Sequence, residues 1–183
     1  MVAIIFAHPW HGSFNKAILD GITDQLNKDK RSFQIIDLHK DNFNPVFTEQ
    51  ELALYAKGEY ADPLVGHYQE VLKSADEVIF IFPIWWSSMP AILKGFLDKV
   101  MLVNFSHNYE NGWTPLLAIK KTVVVTTSQS LTEKYSCAIE NQLIQNGLEA
   151  IGFQNSAWLN CDNVGFGTDE YRKEFIDKVV KAV

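Results

Sequence analysis

The chain has 183 residues, of which 47% are hydrophobic and 21% are charged, and this composition excludes a disordered protein. The length fits one domain with its own core, so we expect residues 1–183 to form a single domain. Acidic residues number 22 against 16 basic ones. The resulting formal charge of −6 offers no basic surface for nucleic acid or for an anionic membrane.

Redox and targeting signals point to the cytoplasm. Cys137 and Cys161, the two cysteines, lie far apart and form no metal-ligand pattern with histidines, so we expect reduced thiols and no metal site. The N-terminal sequence MVAIIFAHPW lacks the basic start and the cleavage site of a signal peptide. The longest uncharged stretch, Val78 to Leu93, is too short for a bilayer and contains two prolines, so we expect no membrane insertion.

Short runs rich in β-branched and aromatic residues predict five strands. Several of the runs are continuously apolar, which is typical of parallel strands covered by helices on both faces. In chain order the strands are Val2–Ala7, Phe33–Asp37, Val78–Phe82, Thr122–Thr127 and Asn155–Leu159.

Helical patterns fall between the predicted strands. The first follows Ser13 and repeats apolar residues every four positions, which builds one buried stripe. The sequence TEQE places Thr48 and Glu51 at the spacing of a capping box, and Ser130 and Glu133 have the same spacing. The predicted helices begin after Ser13, after Thr48, at Asp62 (to Ser74), at Pro90 (to Leu102), near Thr132 (to Gly147) and at Asp169.

The helix from Pro90 to Leu102 is apolar on almost every side. Its charged residues are Lys94, Asp98 and Lys99. A sheet can cover only one face of a helix, so this pattern predicts that a second subunit covers the other, giving a homodimer.

Alternating strands and helices predict an α/β protein with a doubly wound parallel sheet and helices on both faces. At this length we expect the flavodoxin-like strand order 2-1-3-4-5. In that order, ligands bind beyond the carboxyl ends of strands 1 and 3. The sequence therefore predicts a site formed by the loops His8–Phe14 and Ile84–Met89, with the loop Thr126–Ser130 beside them.

The first of these loops, AHPWHGSFN, has features of an anion site. It lacks the glycine patterns of Rossmann and P-loop proteins, but Ser13 and Asn15 place a hydroxyl and an amide beside a helix N-terminus, where a phosphate is favoured. Two other interpretations stay open: Ser13 could simply be an N-cap, and His8 could be a hydrogen-bonded histidine at a strand end.

The other two loops supply an aromatic surface and polar groups that could contact a ligand. In PIWWSSMP, Trp85 and Trp86 offer stacking surfaces ahead of Ser87, although tryptophans of the core would have the same sequence. In TTSQS, hydroxyl and amide groups can hydrogen-bond ligand heteroatoms or simply form turns. An anion site, an aromatic surface and a polar edge together fit a flat heteroaromatic ring with a phosphate, which is the shape of a flavin nucleotide.

Four segments, AHPWHGSFNKAI, NFNPVFT, FPIWWSSMPAILKGFLDKV and KKTVVVTTSQS, carry a more specific signal. Over most of its first 130 residues the chain resembles the NAD(P)H:quinone oxidoreductase family, of the DT-diaphorase, modulator-of-drug-activity and potassium-efflux ancillary type. The resemblance implies a bound flavin, FAD or FMN, that takes a hydride from NAD(P)H and passes two electrons to a quinone or similar acceptor. It also implies dimers whose active sites form where two subunits meet.

Matched position by position, the resemblance also implies a set of cofactor-binding residues. Those at the phosphate end are His8, Ser13, Phe14 and Asn15; those against the ring are Pro83, Ile84, Trp85, Trp86 and Ser87; those of the third loop are Thr126, Thr127, Ser128 and Gln129. Because the flavin carries the hydride chemistry, no catalytic dyad is expected among these residues.

This chain departs from the family pattern in the third loop. Ser128 and Gln129 stand where the family commonly has two glycines. Some members carry a tyrosine and a histidine after this loop, but no histidine follows His107 here, which leaves Tyr135 as the one candidate of that kind. We therefore expect backbone N–H groups and hydroxyls of Thr126–Ser130 to stabilise the negative charge on the reduced ring by hydrogen bonding.

Other functions remain possible at this level. A regulatory or ancillary flavoprotein subunit would share the fold, as would a one-electron carrier of the flavodoxin kind. An open flavin face would also permit azoreductase or nitroreductase activity.

Overall fold

The computed structural model describes residues 1–183 and contains one large parallel sheet. Its strands are β1 (Val2–Phe6), β2 (Phe33–Asp37), β3 (Glu77–Pro83), β6 (Lys121–Thr127) and β7 (Ser156–Cys161), in the order β2-β1-β3-β6-β7. Numbered within this sheet alone, the order is 2-1-3-4-5, so the predicted flavodoxin-like fold is confirmed.

A two-stranded hairpin, β4 (His107–Asn108) with β5 (Thr114–Pro115), lies outside the large sheet and was not predicted. Strands of two residues are too short to show any periodicity in the sequence.

Helices cover both faces of the sheet. The helices are α1 (Phe14–Lys28), α2 (Glu49–Tyr55), α3 (Pro63–Lys73), α4 (Ala91–Val100) and α5 (Asp169–Ala182). Alternate residues of β1 belong to two separate cores: Val2 and Ile4 pack with α1 and α5, whereas Ala3 and Ile5 belong to the core that contains α3 and α4. Burial on both faces is the reason why this strand is continuously apolar.

Of the two predicted capping boxes, the structure contains one. The capping box at the start of α2 is confirmed: the Thr48 side chain accepts from the Glu51 backbone, and the Glu51 side chain accepts from the Thr48 backbone. The one predicted from Ser130 and Glu133 is wrong, because Leu131 takes the N-cap position and makes no side-chain bond. The Ser130 carbonyl instead accepts from the Ser128 hydroxyl at 2.8 Å.

The helix predicted near Thr132 to Gly147 consists of a 3₁₀ turn (Thr132–Tyr135) and a π-helix (Cys137–Leu148). Its buried residues include Ile139 and Leu148, nine positions apart. In an α-helix of ~3.6 residues per turn, nine positions are about two and a half turns and would place these side chains on opposite faces. The wider π-helical turn brings both into the core.

The chain itself covers more of α4 than the sequence predicts. Phe96 packs against Tyr68 with ring centroids 5.7 Å apart, and the Gln69 amide donates to the Val100 carbonyl at 2.9 Å. Lys99 is only 3% exposed. The apolar composition of this helix therefore does not by itself require a second subunit.

None of the helices combines the length and the apolar composition needed to cross a bilayer.

Candidate active site

A cavity of about 320 Å³ opens at the carboxyl ends of the central strands. Its walls come from the loops after β1, β3 and β6 and from the loop after β7. The lining residues are His8, Trp10, Ser13, Phe14, Asn15, Pro83, Ile84, Trp85, Thr127, Ser128, Gln129 and Val164. The structure thus brings together the three loops that the strand order predicts.

The first turn of α1 contributes free hydrogen-bond donors to this cavity. Ser13 is the N-cap, and its Oγ accepts from the Lys16 backbone at 3.2 Å, which leaves the hydroxyl proton free. The backbone N–H groups of Phe14 and Asn15 have no acceptor within the protein. Since no lysine or arginine lines the cavity, these donors and the helix dipole would hold an anion here.

Asn15 connects the first loop to the third. Its side chain is 3% exposed, and its Nδ2 donates to the Thr127 hydroxyl at 2.9 Å. Its Oδ1 is buried without any hydrogen-bond partner. An unpaired buried acceptor is costly, and in a cavity wall it marks a place where a ligand hydroxyl or N–H group would bind.

His8 lies at the carboxyl end of β1 and contacts Trp85 edge to face, with ring centroids 5.9 Å apart. The Trp10 backbone N–H donates to its Nδ1 at 3.1 Å, so this nitrogen is unprotonated and the neutral ring carries its proton on Nε2. Burial lowers the pKa of His8 below its ordinary 6.5. At neutral pH this residue therefore brings a polar group but no charge to the cavity.

The two tryptophans occupy a tight turn. The Trp85 and Ser88 backbones exchange hydrogen bonds of 2.9 and 3.1 Å, and the corner residues Trp86 and Ser87 have φ angles of 51° and 62°. This left-handed backbone is uncommon for residues with a Cβ. Trp86 is 101% exposed and Trp85 is 45% exposed, which excludes the interpretation of both as core residues.

A second cavity, of about 520 Å³, adjoins the first and shares Ile84, Trp85 and Gln129 with it. Trp86 and Ser87 border this second cavity, and the structure does not place them in the first. Tyr135, the candidate after the third loop, also lies here. The two cavities form a crevice with Trp85 between them.

The structure places one predicted site residue elsewhere. Thr126 is fully buried and lines neither cavity. The sheet includes Thr126 and Thr127, and the Thr126 hydroxyl donates to Asn160 Oδ1 at 2.8 Å while it accepts from Trp158 Nε1 at 2.8 Å. These bonds connect the end of β6, where the third loop begins, to β7.

Two residues that line the first cavity, Trp10 and Val164, were not predicted from the sequence. Trp10 is 66% exposed and stands in the HPWHGS loop, so its position in the predicted first loop was a usable signal. Val164 follows β7, and no local pattern distinguishes it. The adjacency of the last two strands in the predicted order was the only available sign.

The sheet order and a cavity at its switch point define a flavodoxin-like protein with a candidate ligand site at the carboxyl edge of the sheet. The family model described as flavodoxin-like fold matches residues 1–183, so the chain belongs to that family. It is similar to a Haemophilus influenzae protein named as an uncharacterized NAD(P)H oxidoreductase, with 30% identity over 181 residues that cover 95% of this chain and 89% of that protein. Other curated relatives are matched over 51% to 67% of their length.

Solved structures agree with this assignment. The NAD(P)H:quinone oxidoreductase of Methanothermobacter marburgensis is 26% identical with a TM-score of 0.87, and the match covers 99% of this chain and 95% of that one. A Bacillus anthracis FMN-dependent NADH-azoreductase, solved in complex with FMN, has a TM-score of 0.81 over 99% and 96% of the two chains, and at 16% identity it shows the fold alone. The resemblance to the NAD(P)H:quinone oxidoreductase family is thereby confirmed.

Proposed function

We propose that this chain is a flavin-dependent NAD(P)H oxidoreductase that transfers two electrons from NAD(P)H to a quinone or a similar small acceptor. We propose further that it acts as one flavin-binding domain in the cytoplasm. One observation carries the proposal: a single cavity at the switch point combines a helix N-terminus with free donors, a buried unpaired amide oxygen and a half-exposed tryptophan.

The residues present fit the two ends of a flavin nucleotide. At the start of α1, the Ser13 hydroxyl and the N–H groups of Phe14 and Asn15 would hold the phosphate, and Asn15 Oδ1 would accept from the sugar-alcohol chain. At the other end, Trp85 and Ile84 supply apolar surface, and the N–H groups of Gln129 and Ser130 have no acceptor within the protein. A bound FMN or FAD would supply the hydride chemistry.

Steady-state turnover tests the proposal. NADH or NADPH oxidation is measured with FMN or FAD present, using a soluble quinone and an azo dye as alternative acceptors. Turnover with quinone supports the proposal, and turnover confined to the azo dye would reassign the acceptor. Bound flavin without turnover on either would favour a regulatory or electron-carrier role.

We expect the rate of reduction by NAD(P)H to show no step between about pH 6.5 and 8. His8 lines the cavity with a lowered pKa, so it loses its proton below 6.5 and stays neutral throughout this window. The N–H donors of the third loop do not titrate in it. Stopped-flow reduction across the window checks this, and a sigmoidal step abolished by His8→Asn would contradict it.

Replacing Trp86 with alanine should separate binding from folding. Its ring is fully exposed, so we expect the free energy of unfolding to change by less than about 0.5 kcal/mol. Because Trp86 borders the crevice, turnover or flavin retention should fall several-fold. Urea unfolding and flavin retention on gel filtration measure the two effects. Equal loss of both would assign Trp86 to the fold.

We also propose that the protein is a homodimer. The support is a groove of about 850 Å³ beside α4, lined by exposed apolar residues such as Trp86 and by half-buried Leu97. It continues from the crevice, so a second copy seated there would border the candidate site. Sedimentation at micromolar concentration should show a dimer, and a stable monomer would refute this proposal.

A further inference from the structure

Asn160 of β7 connects three hydroxyl groups around the third loop. Its Oδ1 accepts from Thr126 Oγ1 at 2.8 Å, and its Nδ2 donates to Ser128 Oγ at 2.9 Å and to Thr132 Oγ1 at 3.0 Å. The side chain thus makes one bond to the residue beside it in the sheet and two to the segment that follows β6.

These bonds fix the direction of each hydroxyl proton. Ser128 donates to the Ser130 carbonyl at 2.8 Å, Thr132 lies 3.2 Å from an Asp162 carboxylate oxygen, and Thr126 donates to Asn160 itself. Each hydroxyl therefore already has an acceptor within the protein for its proton. Contrary to the expectation from the sequence, the hydroxyls of Thr126 and Ser128 have no proton to offer a ligand.

In contrast to the hydroxyls, the backbone of the same loop has free hydrogen-bond donors after Ser128. The Ser128 N–H donates to the Cys161 carbonyl at 2.9 Å, and the Ser128 carbonyl accepts from Val164 at 3.0 Å, so this residue is held to β7 and its following loop. The next two N–H groups, those of Gln129 and Ser130, have no acceptor. The loop thus leaves its donors unpaired immediately after the point where Asn160 anchors it.

We infer that Asn160 is a positioning residue that holds the loop Ser128–Ser130 in the conformation that binds the flavin ring. The inference rests on the proposed function. Asn160 lies outside the lining of both cavities, so it acts through Ser128 and Thr132. In this chain, whose third loop has no glycines, side-chain hydrogen bonds hold the loop backbone in place.

Riboflavin and FMN distinguish the two ends of the site, because riboflavin has the ring but no phosphate. We expect Asn160→Leu to weaken both ligands by the same factor, roughly tenfold, since it removes three hydrogen bonds that fix the ring end. Ser13→Ala should weaken FMN alone. Asn155→Ala is the matched control. Asn155 lies just before the start of β7, far from the loop, and the substitution removes the 2.7 Å hydrogen bond that its side-chain amide donates to the Lys120 carbonyl. It should alter neither affinity.

The measurements are fluorescence titrations of the purified chain and the visible circular dichroism of the bound flavin. Thr132→Val, which removes one of the anchors, provides a milder variant and should weaken both ligands by a smaller common factor. Unchanged affinities and dichroism in both variants, or a loss confined to FMN, would overturn the inference while the proposed function stands. Failure of the unaltered chain to bind either ligand would overturn both.

Discussion

Replacing Ser13 and Asn15 together with alanine is expected to weaken FMN binding by about 30- to 2,000-fold. Each side chain offers the ligand one group that the protein leaves unpaired, the Ser13 proton and Asn15 Oδ1. The Ser13 bond to a charged phosphate contributes about 1.5–3 kcal/mol and the Asn15 bond to a neutral hydroxyl about 0.5–1.5 kcal/mol, and together they account for this range. Isothermal titration with FMN measures the loss.

Thr168→Ala provides the control for this double variant. Thr168 is the N-cap of α5, and its side chain accepts from the Tyr171 backbone as Ser13 accepts from Lys16. Removing it should cost about 1 kcal/mol of stability and leave FMN affinity unchanged. If the Ser13 and Asn15 double variant also binds FMN with nearly unchanged affinity, the start of α1 is not the phosphate site.

Lys99→Met is expected to lower the free energy of unfolding by about 3–5 kcal/mol. The Lys99 ammonium lies 2.7 Å from a Glu51 carboxylate oxygen and donates to the Asn44 carbonyl at 2.8 Å, in a site where Lys99 is 3% and Glu51 is 9% exposed. Without the cation, the Glu51 carboxylate would remain buried without a countercharge, bonded only to Thr48. Urea unfolding at pH 7 measures the effect.

The pH dependence of this loss has a defined sign. Burial raises the pKa of Glu51, but hydrogen bonds from Lys99 and Thr48 outweigh it and hold the pKa below its usual value. The pair therefore stabilises the folded chain above the unfolded pKa of about 4.3, and this contribution is lost as pH falls through the folded value. In Lys99→Met the unpaired carboxyl should take up a proton more readily, so the difference between the two proteins should narrow from pH 7 to pH 5.

Two further variants isolate the buried pair. Lys94→Met removes an exposed partner of Asp98 from the same helix and should cost less than about 1 kcal/mol. Adding Glu51→Gln to Lys99→Met should recover part of the loss, because no buried charge is then left unpaired. A Lys99→Met protein as stable as the Lys94→Met protein would show that the pair contributes nothing.

Much of the fold is determined by local patterns that the sequence displays. The buried strands β1 and β3 are read directly from uninterrupted apolar runs, and the Thr48 capping box depends on four consecutive residues. The position of the site follows from the strand order alone, because the carboxyl ends of neighbouring parallel strands meet at one edge.

What the sequence did not predict depends on partners that are distant along the chain. From the sequence, Lys99 resembles a solvated charge on α4. In the structure its ammonium group is buried against Glu51, Asn44 and Phe43. Ser130 and Glu133 have the spacing of a capping box, but they do not form one. The Ser130 carbonyl instead accepts a hydrogen bond from the Ser128 hydroxyl, which in turn accepts one from Asn160. Thr126 was assigned to the site from the family resemblance and from its place where a strand ends, but it is fully buried and its hydroxyl bonds to Asn160 and Trp158 of β7.

The proposed function requires that the cavity at the carboxyl ends of β1, β3 and β6 binds a flavin that NAD(P)H reduces. Its most direct test is the visible spectrum of the purified chain after incubation with FMN or FAD and removal of free ligand, recorded before and after anaerobic addition of NADH or NADPH. We predict that flavin absorption co-elutes with the protein, is bleached by the nicotinamide and returns when a quinone is added. A colourless protein after incubation with both flavins, or a bound flavin that neither nicotinamide bleaches, would refute the proposed function.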